Sequence, residues 1–95
     1  MAHPGVALIP DTETTVEALR QAGARFAFVH GSRASGTARA SSDVDVAAWF
    51  GGLNPAPWTV TGLPSSIDLL VLDEAPLELA GRVALRGVLL FDDDP

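Results

Sequence analysis

Asp43 and Asp45 flank a single valine in "SSDVDVAAWF", and a third carboxylate, Asp68, sits inside the apolar run "SIDLLVL". Alternate residues of a strand point the same way, so Asp43 and Asp45 share a face. Two adjacent carboxylates repel each other unless a cation lies between them or one is protonated. The residues that follow, Val46 to Phe50, are apolar, which sets the pair at the mouth of a buried strand. Such a place suits a hard cation: Mg²⁺ takes oxygen ligands, uses few protein carboxylates and completes its shell with water and substrate phosphates. Asp68 lies among Ile67, Leu69 and Leu70, where a charge is costly unless it is paired or faces a cleft. If the two strands are neighbours, the three carboxylates converge. Three such groups can hold two divalent ions, activate a nucleophile and steady both oxygens of an in-line phosphoryl displacement.

Gly31-Ser32 precedes this trio, with ten residues between Ser32 and Asp43. A strand ends there, and "SRAS" reads as a short helical turn. Backbone N–H groups exposed at such a turn bind anions. Gly31 has no side chain, so a phosphate can approach the backbone closely, and the Ser32 hydroxyl adds a donor. Arg33 and Arg39, in the loop that returns to Asp43, are candidates to add positive charge at the phosphates. Three rival motifs fail. Gly31 and Gly36 have the spacing of a P-loop, but Thr37 stands where lysine is required. An EF-hand would need Asp or Asn at Ala47 and glycine at Ala48. No Gly-x-Ser-x-Gly nucleophile elbow occurs.

The elements that must position these residues follow from periodicity. "PDTETTVEALRQAG" predicts a helix, with Thr14 and Glu17 as a capping box, Val16 and Leu19 on one face near Ala18 and Ala22, and Gly23 as the stop. "ARFAFVH" predicts a strand with Phe26 and Phe28 on one side. "DVDVAAWF" is the next strand. "GGLNPAPWTVTGLPSS" is too rich in Pro and Gly for a helix. "SSIDLLVLD" is a third strand, and its near-continuous apolar character predicts a central position. "DEAPLELAGRVALRG" is a second amphipathic helix, with Asp73 as its cap, Pro76 in its first turn and Gly87 as its end. "VLLF" is a last strand before the acidic "DDDP". The sum is one α+β domain over residues 1–95, a small mixed sheet flanked by helices.

Composition narrows the class. At 95 residues and 47% hydrophobic, the chain is one ordinary globular domain. It has no cysteine, hence no disulfide framework and no thiolate metal site. No apolar run approaches a membrane span, and "MAHPGVALIP" lacks the pattern of a secretory signal, so the expected compartment is the cytoplasm. A net charge of −6 weighs against direct nucleic-acid binding, which needs cationic groups to displace phosphate counterions. It leaves room for a metal-bridged nucleotide and for a basic protein partner. His30, beside the Gly-Ser turn, reads as structural. Trp49 and Trp58 read as core or rim residues, with Trp58 placed in an open loop.

The spaced pattern of Gly31-Ser32, Asp43-Val44-Asp45 and a later strand carboxylate resembles the DNA polymerase beta-like nucleotidyltransferase superfamily. The short length and "GSRASGTARASSDVDVAAWF" are most similar to its minimal nucleotidyltransferases, and the likeness runs from about Ala24 onward. That resemblance implies Mg²⁺, or Mn²⁺, and a nucleoside triphosphate donor, usually ATP. It implies that Asp43 and Asp45 bind metal, that Asp68 binds metal and assists as base, and that Gly31 and Ser32 hold the donor phosphates. Many members are antitoxins paired with a HEPN-domain toxic RNase, and some silence it by adding AMP to a tyrosine. The expected function is thus AMP transfer from ATP to a protein hydroxyl, in complex with such a toxin. The alternatives are a catalytically weak antitoxin that acts by binding alone, and a nucleotidyltransferase of small molecules such as antibiotics.

Overall fold

The computed structural model of the chain describes residues 11–30 and 44–93. Gly31, Ser32, Arg33, Arg39 and Asp43 lie outside the described residues, as does the turn expected at "SRAS". The described elements run α1 (Thr12–Gln21), β1 (Phe26–His30), β2 (Val44–Trp49), β3 (Ile67–Val71), α2 (Leu77–Arg86) and β4 (Val88–Asp92). Between β2 and β3 the chain makes only a single 3-10 turn, Pro57–Thr59, as its Pro and Gly content requires.

α1 begins three residues earlier than the Thr14–Glu17 capping box would set it. Asp11 is the N-cap, in the left-handed region at φ 54, and its side chain bonds no helix N–H. Thr14 is an exposed residue inside the helix, so the box does not form, and Glu17 accepts a hydrogen bond from Gln21 Nε2 at 3.0 Å instead. The stop is where glycine predicts it. Gly23, at φ 101, donates to the Arg20 carbonyl at 3.0 Å, and the Ala24 N–H donates to the Leu19 carbonyl at 2.9 Å. This pair of bonds is a Schellman cap, which glycine enters without the cost a Cβ would bring.

The four strands form one mixed sheet in the order β3-β2-β1-β4. β1 runs antiparallel to both β2 and β4, while β2 and β3 are parallel. The register sorts side chains into two faces. Ala27 and Val29 of β1 pair with Ala48 and Val46 of β2, and Val44, Val46 and Ala48 pair with Ile67, Leu69 and Val71 of β3. This face carries the core: Leu19 of α1 packs on Ala27, Val29, Val44, Val46, Ala48 and Phe50, with Leu90 and Phe91 from β4. The opposite face presents Phe26, Phe28 and His30, then Asp45, Ala47 and Trp49, then Asp68 and Leu70. There Trp49 stacks on Phe26, ring centroids 5.5 Å apart, and Phe28 meets Phe26 edge-on at 5.8 Å. α2 lies against β1. It ends at Gly87, whose backbone turns extended, and the position holds glycine because a Cβ would come within 2.5 Å of the Val83 carbonyl oxygen and 3.1 Å of the Phe28 Cβ.

Two sequence expectations need correcting. β3 is an edge strand and not a central one, and Val71 alone of its residues is fully buried. Its apolar run has another cause: Ile67 and Leu69 pack against the core, while Leu70 faces the opposite side. Asp73 does not cap α2, whose N-cap is Pro76 with no side-chain bond. Its carboxylate accepts instead from the backbone N–H groups of Phe50 (2.9 Å), Gly52 (2.7 Å) and Asn54 (3.3 Å). Asp73 therefore ties the start of the β2–β3 crossover to the residues just beyond the end of β3. A crossover without a helix has few internal bonds, and a carboxylate with several lone pairs can supply three at once.

Candidate active site

The two described carboxylates of the sequence trio come together. Asp45 and Asp68 are register partners on parallel neighbours, so their side chains leave the same face one strand spacing apart, about 4.8 Å between backbones. Each stands where its sequence surroundings put it. Asp45 follows the fully buried Val44 and precedes the fully buried Val46, and strand alternation turns it away from both. Asp68 sits near the start of the edge strand, where it is exposed. That exposure is how an aspartate tolerates a run of Ile and Leu: its neighbours face the core and it does not. Asp43, expected two residues before Asp45, lies outside the described residues, and among those described no cluster of three potential metal ligands occurs.

The donor set fits a hard divalent cation. Two carboxylates share a face on adjacent strands, one half-buried and one open, and neither takes part in a hydrogen bond or ion pair among the described residues. Like charges one strand spacing apart destabilise a sheet unless something positive offsets them. Oxygen ligands few in number and open to solvent are what Mg²⁺ uses when substrate phosphates complete its shell.

His30 extends this row. It pairs with Asp45 across β1 and β2, so His30, Asp45 and Asp68 form a line over three strands. Its Nε2 is buried without a hydrogen-bond partner among the described residues. Sequence reading gave His30 only a structural part; the signal that it lies beside the carboxylates was its place as the last residue of β1, which pairs with the start of β2. Leu70 continues the site face along β3, and beyond it opens a pocket of about 470 Å³ lined by Leu69, Leu70, Trp58, Pro55, Pro57, Glu74 and Pro76 among others. Trp58 is 85% exposed, a rim residue as its loop position suggested.

Comparisons with known proteins bear on the fold and the family. No curated protein matches the chain. A chain of a toxin–antitoxin crystallised with AMP-PNP is similar over 87% of this chain and 74% of its own, at 25% identity and a TM-score of 0.71. A presumed nucleotidyltransferase from Sulfolobus solfataricus shares the fold over 93% of this chain and 80% of its own, at 23% identity and a TM-score of 0.62. No helix among the described residues is long and apolar enough to cross a membrane. The family model of the polymerase beta nucleotidyltransferases matches residues 13–95, which takes in the whole sheet and both carboxylates, and the chain belongs to that family.

Proposed function

We propose that the chain transfers AMP from ATP to a protein hydroxyl, a tyrosine of a HEPN-type RNase toxin, and so acts as an antitoxin. The observation that carries this reading is the pairing of Asp45 with Asp68 on the open face of the sheet. The likeness to a chain of a toxin–antitoxin crystallised with AMP-PNP supports the donor and the kind of partner. Asp43, Asp45 and Asp68 would hold Mg²⁺, which supplies positive charge to the donor phosphates. The Gly31 backbone and the Ser32 hydroxyl would grip those phosphates, with Arg33 and Arg39 adding charge. The tyrosine oxygen attacks the α-phosphorus of ATP. A new P–O bond forms, the α–β bridging P–O bond breaks and pyrophosphate leaves. The phenolic proton passes to the Asp68 carboxylate, whose exposure at the strand edge lets an acceptor reach it. AMP on the toxin then adds an anion that repels RNA.

The test is intact-mass spectrometry of a HEPN-type toxin that co-purifies with this chain, after incubation with ATP and Mg²⁺. One or more added AMP units, formed far more slowly by Asp68→Asn, support the proposal. A constant mass, with RNase activity blocked as well by Asp68→Asn as by the unaltered chain, overturns it in favour of occlusion. That second reading draws on α2, whose outward Leu77 and Leu85 are 88% and 87% exposed and offer a binding surface independent of the carboxylates.

A further inference from the structure

Among the described residues β3 is an open edge of the sheet, and its parity decides which backbone groups point outward. The Ser66 carbonyl accepts from Val44 and the Leu72 N–H donates to Ala48, so the even-numbered residues of this strand face β2. Leu69 and Val71 therefore turn their N–H and C=O groups outward. Neither makes a backbone bond beyond the sheet among the described residues, whereas the Ile67 N–H is taken by the Pro64 carbonyl. An unpaired edge is a template for another strand.

The pocket lies on this edge. Leu69, Leu70 and Val71 form one wall, and Pro55, Pro57, Trp58 and Pro76 form others. Its charged group is Glu74, and no cationic side chain among the described residues lines it. Asp68 and Leu70 leave the same face of β3, two residues and about 7 Å apart. The free edge, the apolar pocket and the carboxylate are thus three parts of one surface.

We infer that this surface docks the acceptor as an added β-strand: an extended, cationic segment of the target protein pairs with Leu69 and Val71, seats an apolar side chain in the pocket beside Leu70, and so delivers a hydroxyl to Asp68. The inference rests on the proposed transfer to a protein hydroxyl and adds its substrate class. The spacing follows from the pleat. Residues of the added strand opposite Asp68 and Leu70 are themselves two apart, so the acceptor reads Tyr-x-Leu in one strand direction or Leu-x-Tyr in the other. Positive residues flank it, because the edge offers Asp68 and Glu74 and the chain carries a net charge of −6. Main-chain bonds give the affinity and the pocket gives the choice of sequence.

Two measurements separate this docking from the chemistry. In the first, arginine-flanked nine-residue peptides holding Tyr-x-Leu, Leu-x-Tyr or Tyr-x-Asp are titrated without ATP into the full chain labelled for amide NMR. One leucine peptide shifts and protects the Leu69 and Val71 amides, the aspartate peptide does not, and Trp58→Ala weakens binding about tenfold. N-methylation of alternate peptide amides abolishes binding in one parity and spares it in the other. In the second measurement, Mg²⁺ and ATP are added and peptide mass is read. Binding with this parity but no mass gain sinks the proposed transfer and leaves the docking standing. Mass gain that is indifferent to peptide sequence, N-methyl parity and Trp58→Ala sinks the docking and leaves the transfer standing. Peptides that never perturb Leu69 or Val71 also overturn the docking. Trp58 is exposed, so its removal leaves the fold in place.

Discussion

One sheet carries two faces that the same strands build for opposite ends. Along β2, Val44, Val46 and Ala48 are fully buried beneath Leu19, while Asp45 and Trp49, one residue out of step, are only half-buried. The first face takes hydrophobic area out of water and holds the chain together. The second keeps two like charges side by side, an arrangement that costs stability unless a ligand offsets it. That cost is offset by the face behind it, a single pleat away.

Substitutions on the two faces should separate activity from stability. The largest effect belongs to Asp68→Asn. AMP transfer, followed by mass spectrometry, should fall roughly 10²–10⁴-fold through loss of the base, and the melting temperature should hardly move, because Asp68 is exposed and makes no bond among the described residues. A variant that loses both together would break the comparison. Leu19→Ala should do the converse. A fully buried leucine at the centre of the core costs about 2–5 kcal/mol in urea unfolding, and the residual folded fraction should retain its turnover.

Asp73→Ala probes the crossover that joins the faces. Three backbone N–H groups lose their acceptor. They are partly solvated, so the expected loss is about 1–3 kcal/mol, with faster amide exchange at Phe50, Gly52 and Asn54 as its signature. The smallest effect is expected from Arg20→Ala. Arg20 meets Asp93 at 2.6 and 2.9 Å and lies 5.0 Å from the centre of the Phe91 ring, but both partners of the pair are nearly half exposed. Unfolding should shift by less than about 1 kcal/mol and less still in high salt. The Asp93 hydrogen bond raises the pKa of the Arg20 guanidinium from its already high ordinary value. A raised value means its contribution is complete at all lower pH and lost only in strong alkali, so this pair should add no slope between pH 6 and 9.

How much of this was legible in the residues divides along the same line. The order of the described elements, the mixed sheet and the Gly23 stop followed from periodicity and turn chemistry, which act within a few residues. The approach of Asp68 to Asp45 was conditional in the sequence, since nothing local says which strands are neighbours; the parallel register supplied it. β3 misled because an apolar run does not distinguish two flanking strands from a core on one side and a pocket on the other. Asp73 misled for a related reason. An aspartate just before a helix usually caps it, but backbone donors twenty residues away lay closer in space. Tertiary competition for a carboxylate leaves no mark in its flanking residues. The Gly31-Ser32 grip and Asp43 lie outside the described residues, so their parts in the site rest on the spaced motif.

β1 has a consequence for the order in which the chain assembles. It lies between a partner near in sequence and one remote from it: Val29 pairs with Val46 on one side and with Val88 on the other. The first pairing closes a short loop, while the second must wait until the helix and strand beyond β3 have been made. Non-local pairing is the slow step of small mixed domains. Until β4 arrives, the buried strand of the finished fold is itself an exposed margin, with Ala27 and Val29 short of the cover that Leu90 and Phe91 later give. The nascent chain therefore passes through a stage in which its stickiest surface is its future centre, and refolding that slows with β4 substitutions such as Leu90→Ala, at unchanged unfolding rate, would mark that closure as the barrier.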